Sequence, residues 1–480
     1  MAHKYITTTL PYVNADPHIG FALEIIQADA LARYWRLTGH EVFFSTGTDE
    51  HGQKIAQKAD EKGEARQSYV DYYAGEFKRL GVALNLSYDR FIRTTDPMHE
   101  AAAQELWKRC DAAGDIYKKK FNGLYCVGCE SFKTDSDLIE GKCPDHPTTP
   151  LEYIEEENYF FRFSKYQQYL EEYLAREDVI APEWRRQEAL TFVKGGLEDF
   201  SISREKARLD WGIAVPFDET QVMYVWFDAL TNYISTLGWP RDAEGCYKAF
   251  WAHGEPMQVA GKDQVRFQSI IWQAMLKSAN LTPTHRVFYH GFITSGGQKM
   301  SKSIGNVISP YELVERYGTE ATRYLLLRHV HSFEDTDITW ERLDEWYNAH
   351  LANGLGNLVS RVMKMAEDNL DAPVEIKEQQ LEEAFTAKLD AFRFDEAFDI
   401  VFSHIGKGDS HIQDTQPFKM LKSEDVSVRA EGKEILERLV RHIYRIAEHL
   451  VPLMPVTAAH IIEAVKANKK PEALFVRLDT

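Results

Sequence analysis

The segment from the N-terminus to Gly52 alternates in a way that few folds accommodate. "KYITTTL" is β-rich, "PYVNADP" gathers turn residues, and "HIGFALEIIQADALARYWRLTG" carries apolar residues at helical spacing until Gly39 ends it. "EVFFSTGTDEHG" is then a second apolar run that closes in a polar loop. Strand, turn, helix and strand in this order open a parallel α/β sheet, in which ligands bind beyond the carboxyl ends of the strands. Both polar loops are therefore expected to face one crevice.

From about Tyr117 to Phe217 this rhythm breaks into short mixed segments, which predicts an insertion. It resumes in "YVWFDALTNYISTL", "PMQVAGKDQVRFQSIIWQAML" and "RVFYHGFI", and after Trp340 long helical patterns follow almost without interruption. The expected fold class is α/β: one parallel sheet split by an insert, with a helical C-terminal domain. A hydrophobic share of 44% over 480 residues excludes disorder and suits several domains. No apolar run approaches the roughly eighteen residues of a membrane span, and "MAHKYITTTLPY" lacks a signal-peptide core, so a cytoplasmic protein is expected. The net charge of −18 argues against indiscriminate nucleic-acid or membrane binding. Any nucleic-acid partner must be recognised selectively.

Three motifs carry chemistry. His18 falls where the first helix begins, and free backbone N–H groups there favour an anion such as phosphate, although a solvent-facing histidine after a turn has the same local sequence. "SGGQKMSKSIGN" is a glycine-rich loop between a strand and a helix whose start reads Ser309 as N-cap, Pro310 at N1 and Glu312 at N3. Its Lys299 and Lys302 suit a polyphosphate whose charge grows during phosphoryl or nucleotidyl transfer. The third motif is Cys126-x2-Cys129-x13-Cys143-x2-His146. Two close pairs joined by a short loop supply four zinc ligands and leave no open position, so the site reads as structural. Cys110 and Cys246 read as buried apolar residues.

"PHIGF" and "KMSKS" resemble the two signatures of class I aminoacyl-tRNA synthetases. With "LPYVNADPHIG", "GTDEHG", "YVWFDAL", "GKD", "GGQKMSKSIGN" and "GNLVSR", the whole chain is similar to the bacterial-type methionyl-tRNA synthetases. The resemblance implies a Rossmann catalytic domain at 1–116 and 218–290, a connective insert with the zinc knuckle at 117–217, a KMSKS and stem-contact segment at 291–340, and an anticodon-binding helical domain at 341–480. It implies activation of L-methionine with ATP and Mg²⁺, then transfer to the terminal ribose of tRNA(Met), elongator and initiator alike. In the amino-acid site it assigns Leu10 and Tyr12 to one wall, Trp226, Ala229 and Tyr233 to the other, and Asp49 to the substrate ammonium. Without that frame, Trp226 and Tyr233 suit ordinary core and Asp49 suits a helix cap. For ATP it points to His18, Gly20, Phe21, Glu24, Asp263, Lys299, Met300, Ser301, Lys302 and Ser303.

Asn357 and Arg361, at i and i+4, match the family's anticodon readers, and Phe418 stands where a stacking tryptophan is usual. A core phenylalanine is the other reading of Phe418. Arg438, Arg441 and Arg445 form a stripe fit for phosphates or for a solvated face. Phe21, Gln264 and Gln268 depart from the family pattern. Gln268 is expected to bond the Tyr233 hydroxyl, and the two glutamines to pair with each other or with polar neighbours. The insert leaves no room for a large editing domain, and no extra dimerisation domain follows, so a monomer is expected. A different nucleotidyltransferase of the same fold would not need Asn357 and Arg361, and a silent tRNA-binding paralogue would not keep both loop lysines.

Overall fold

The computed structural model describes residues 3–129, 131–133, 137–144, 146–300, 307–377 and 380–479. The chain divides into two compact units: one from the N-terminus through Pro17, His40–Gly81 and Tyr88–His290, the other of His18–Gly39, Val82–Ser87 and the chain from Gly291 onward.

The first unit is built on a six-stranded parallel sheet. Its order is Arg90–Arg93, Glu41–Thr48, His3–Thr8, Glu255–Gly261, Arg286–His290 and Ile180–Ala181. From His3–Thr8 the chain moves outward on one side and later returns to fill the other. This reversal of order is the switch point beside which α/β sheets bind ligands. Tyr5 through Thr8 are fully buried, and their hydroxyls are satisfied inside the sheet: Thr8 Oγ1 lies 2.8 Å from Thr46 Oγ1, and Tyr5 OH lies 2.8 Å from Ser45 Oγ.

The insert is antiparallel. Ile116–Cys126 pairs with Glu152–Phe161 from Ile116↔Phe161 to Tyr125↔Glu152, and Glu152–Phe161 alternates exposed and buried residues as a strand with one wet face must. Short strands Ser131–Lys133 and Phe200–Ser201 flank the pair. Cys126 ends the long strand, which carries it to the start of a turn.

In the second unit the helices Asn357–Asn369, Phe394–Thr415, Val426–Leu450 and Pro455–Ala467 pack on one another through stripes that include Leu358, Val362, Leu436, Leu439 and Ile461. Helix Ile19–Leu37 groups with them and packs against Thr319–His329. A buried charge explains the attachment: Asp29 lies 2.7 Å from Arg323 Nη2 and accepts from Arg33 Nε at 2.7 Å and from Ser87 N at 2.7 Å. Burial pushes the Asp29 carboxyl up, but Arg323 and Arg33 outweigh it and hold the group below its ordinary value. Among the described residues no helix is long and apolar enough to cross a membrane.

Candidate functional site

Where His3–Thr8 and Glu41–Thr48 end, Leu10–Val13 folds back onto Asp49. The Asp49 N–H donates to the Pro11 carbonyl at 3.0 Å, the Val13 N–H donates to the Asp49 carbonyl at 3.2 Å, and Tyr12 pairs with Asp49 as an isolated parallel bridge. Two strand ends thus fix the Asp49 backbone on both sides, with the residue only 3% exposed and Leu10 and Tyr12 half-buried beside it. The next helix, Gln53–Lys62, starts after Gly52 without a side-chain cap, which removes the capping reading of Asp49.

The aromatic residues lie on the helical turns Val225–Leu230 and Asn232–Ser235. Trp226 stacks on Phe267 with centroids 3.6 Å apart and planes 15° apart. Ala229 and Tyr233 are buried, and Gln268 Nε2 donates to Tyr233 OH at 2.7 Å, as the sequence predicts. Trp272 meets the Tyr233 ring edge-on at 5.8 Å. The two glutamines are not joined by a hydrogen bond to each other: Gln264, half-buried, donates instead to its exposed neighbour Asp263 at 3.0 Å. Asp263 and Gln264 belong to one tight turn after the strand Glu255–Gly261, whereas Gln268 belongs to the helical stretch that follows.

Beside Asp49 stand two ionisable groups used up internally. Glu50, fully buried, accepts from Arg93 Nε at 2.6 Å and Nη2 at 2.8 Å, from Thr48 Oγ1 at 2.6 Å and from Thr95 Oγ1 at 2.5 Å. His51 faces Asp228, with Nδ1 2.7 Å from Oδ2, while the other Asp228 oxygen lies 2.7 Å from His99 Nε2. Burial pushes Asp228 up, yet His51 and His99 together hold it below the ordinary carboxylate value.

In the second unit His18 is the N-cap of Ile19–Leu37, not a residue of its first turn. The Phe21 N–H donates to His18 Nδ1 at 3.3 Å, so a neutral ring carries its proton on Nε2, and the residue is exposed. A Cβ on Gly20 would stand 3.1 Å from the imidazole, and its absence lets the ring fold back over the helix start. Phe21 and Glu24 are buried in the first turns. Ile293–Ser295 and Gln298–Lys299 form a hairpin through Gly296 and Gly297, held by Asp337, whose Oδ1 accepts from the Gly297 N–H at 2.7 Å. Met300 follows it. Ser301, Lys302 and Ser303 lie outside the described residues. Helix Pro310–Tyr317 opens with the expected capping box of Ser309 and Glu312.

The cysteine motif closes into one cluster in which the four ligand atoms of Cys126, Cys129, Cys143 and His146 lie within 4.8 Å of one another. Cys129 Sγ is 3.2 Å from His146 Nδ1 and 3.4 Å from Cys143 Sγ, near the edge of about 3.8 Å that a tetrahedron with 2.3 Å bonds to sulfur requires. A Cβ on Gly128 would sit 2.5 Å from the His146 ring, so the turn between the first two cysteines is shaped around that imidazole. Burial pushes the Cys129 thiol up to about 12, so the thiolate needs a cation beside it. Cys110 is buried, as expected, while Cys246 is half-buried.

Asn357 and Arg361 share the outer side of Asn357–Asn369, and Arg361 Nη1 lies 3.1 Å from Asp409 Oδ1. Phe418 is 42% exposed, which rules out the core reading. Arg441 pairs with Glu437 of its own helix at 3.0 Å, as on a solvated face, whereas Arg445 lies 3.5 Å from Glu448 with both side chains largely covered. Reading the sequence missed Phe267, Glu50, Arg93, His51, His99 and Asp228. A usable signal existed for Asp228, since a charge inside the apolar run "YVWFDAL" must find a buried partner.

The family described as "tRNA synthetases class I (M)" matches residues 4–150 and 147–363. The methionine–tRNA ligase of Caldanaerobacter subterraneus subsp. tengcongensis is 42% identical over 473 residues, 96% of this chain and 73% of that protein. That of Thermosynechococcus vestitus is 40% identical over 94% of this chain and 88% of its own length. Mycobacterium tuberculosis methionyl-tRNA synthetase in complex with methionyl-adenylate superposes with a TM-score of 0.90 at 38% identity, covering 96% of this chain and 94% of that one. Its apo form gives 0.85 at 34% identity, over 100% and 99% of the two chains.

Proposed function

Because the chain belongs to the methionine–tRNA ligases of the class I tRNA synthetases, we propose that it activates L-methionine with ATP and transfers the methionyl group to the 3′-terminal ribose of tRNA(Met), in the cytoplasm. The observation that carries this reading is Asp49, a buried acidic residue whose backbone is bonded on both sides at two strand ends, so that its carboxylate suits a substrate ammonium. Leu10, Tyr12, Trp226, Ala229, Tyr233 and Gln268 form the walls for the thioether, whose polarizable sulfur suits aromatic faces, and Gln264 borders them.

In this reading the methionine carboxylate attacks the α-phosphorus of ATP and pyrophosphate leaves. No covalent bond to the protein forms, so catalysis rests on positioning and charge stabilisation. His18 donates from Nε2 to phosphate oxygen, and the helix start behind it, with Gly20, Phe21 and Glu24, receives the nucleotide. Asp263 holds the ribose. Lys299, Met300, Ser301, Lys302 and Ser303 supply the KMSKS segment, whose ammonium groups counter charge that grows towards the transition state. Mg²⁺, taken up with ATP, adds to the neutralisation of the phosphates. Cys126, Cys129, Cys143 and His146 hold one structural Zn²⁺. Asn357, Arg361 and Phe418 read the unstacked anticodon by edge hydrogen bonds and stacking. The residue ranges given above from the resemblance are the proposed domains.

Amino-acid-dependent exchange of pyrophosphate into ATP tests the activation step across all amino acids. Methionine should be strongly preferred. Exchange with none, or a preference for leucine or glutamine, overturns the reading.

A further inference from the structure

The buried carboxylate of Asp228 has no place in the chemistry above, yet both of its oxygens are engaged and both lead to the amino-acid site. It is fully buried and sits in sequence between Trp226 on one side and Ala229 and Tyr233 on the other. Oδ2 faces His51 Nδ1 at 2.7 Å, and His51 is two residues after Asp49 in the same loop. Oδ1 faces His99 Nε2 at 2.7 Å, on helix Pro97–Ala112. The outer nitrogen of His99, Nδ1, lies 2.8 Å from Ser235 Oγ, so His99 grips the aromatic segment a second time just past Tyr233. An ionised carboxylate only accepts, so both nitrogens that face it carry protons and both ring orientations are determined.

The loop has no slack elsewhere. Glu50 is locked by Arg93, and its carbonyl accepts from Trp211 Nε1 at 2.6 Å, while the Trp211 ring meets His51 edge-on at 5.5 Å. The His51–Asp228 bond therefore joins a stiff loop carrying the ammonium partner to the helical turns carrying the thioether wall.

We propose that Asp228 is a positioning residue for the amino-acid substrate, tethering the Asp49 loop through His51 and the Trp226–Tyr233 wall through His99 so that the site is preformed. This rests on the methionine-activating reading. A tether of this kind acts on amino-acid affinity and leaves ATP affinity alone, whereas a merely structural bond would change both or neither.

His51→Leu, His51→Asn and His51→Gln separate these cases. The Asn amide nitrogen stands as many bonds from Cα as His Nδ1 and can restore the donor, whereas Gln carries it one bond further and Leu has none. In pyrophosphate exchange His51→Leu should raise KM for methionine at least about tenfold with KM for ATP within about twofold, while His51→Asn stays within about threefold of wild type for both. Equal values for Leu and Asn, or parallel changes in both KM values, overturn the tether. Should His51→Leu fail to fold by circular dichroism, Gln against Asn decides: a folded Gln variant with raised KM for methionine supports the tether, and one indistinguishable from Asn overturns it. If the wild type exchanges with another amino acid, the functional reading fails, and the same comparison on that amino acid still tests the tether.

Discussion

The two units solve recognition in opposite ways. In the sheet-bearing unit the candidate ligand partner Asp49 is 3% exposed and its acidic neighbours Glu50 and Asp228 are fully buried, each satisfied by partners from distant parts of the chain. In the helical unit the candidate readers stand on the surface: Asn357 is exposed, the Arg361 side chain is 39% exposed and Phe418 is 42% exposed. An amino acid offers few atoms, so its site must strip water away and hold every group in advance. A nucleic acid brings its own base faces and edges to a surface that waits for them.

The largest effect should come from the most interlocked feature of the sheet-bearing unit. The purified protein is expected to hold about one zinc per chain, and Cys126→Ala should lose it together with the fold of the insert, since structural zinc supplies folding energy of order 10 kcal/mol in small domains. Elemental analysis with circular dichroism checks this. A metal-free protein of unchanged stability would break the contrast at its strongest point. Next, Asp49→Asn should raise KM for methionine by about thirtyfold or more, because truncating one partner of a buried, hydrogen-bonded charge pair costs about 2–5 kcal/mol. Melting temperature should hardly move.

On the helical side Phe418→Ala should weaken aminoacylation of tRNA by about tenfold, matching the 1–3 kcal/mol of one base stacked on an aromatic ring, and leave pyrophosphate exchange untouched. Arg361→Ala should act in the same direction, and loss of exchange in either folded variant would contradict the separation. The smallest effect is on pH. Burial, with Arg328 and His350 nearby, lowers His329 to about 3, and the ring stacks on Trp346 at 4.1 Å. The unfolded chain binds that proton first, so its contribution is complete above about pH 6.5 and is lost as pH falls towards 3. His51 has the opposite sign. Burial lowers its proton affinity, but Asp228, Glu100 and Glu50 outweigh burial and raise it, so its contribution is complete below about pH 6.5 and is lost as pH rises through the folded value. Thermal melts of His329→Phe and His51→Asn between pH 5 and 8 should flatten opposite limbs of the stability profile by a few degrees each.

How much of this was legible follows from how local each signal is. The strand and helix of "KYITTTL" and "HIGFALE", the capping box at Ser309 and the cluster of Cys126, Cys129, Cys143 and His146 all lie in short windows whose periodicity or spacing already states their partners. Gln268 is expected on Tyr233 because it stands where the resemblance has a histidine, and its amide can donate to the same hydroxyl. Phe267 and Trp272 carry no such signal, because nothing in their own windows distinguishes an aromatic that packs on Trp226 or Tyr233 from one that fills space.

By itself the sequence determined the alternation that makes a parallel sheet, the insert with its Cys/His cluster, the helical tail and the family signatures, since each is written in residue types and spacings within a few turns of chain. Only the tertiary structure decided which charges meet: Asp29 with Arg323, Glu50 with Arg93, and Asp228 with both His51 and His99. A buried charge is tolerated only where an opposite charge or donor arrives from elsewhere in the chain, and sequence separation carries no record of that arrival.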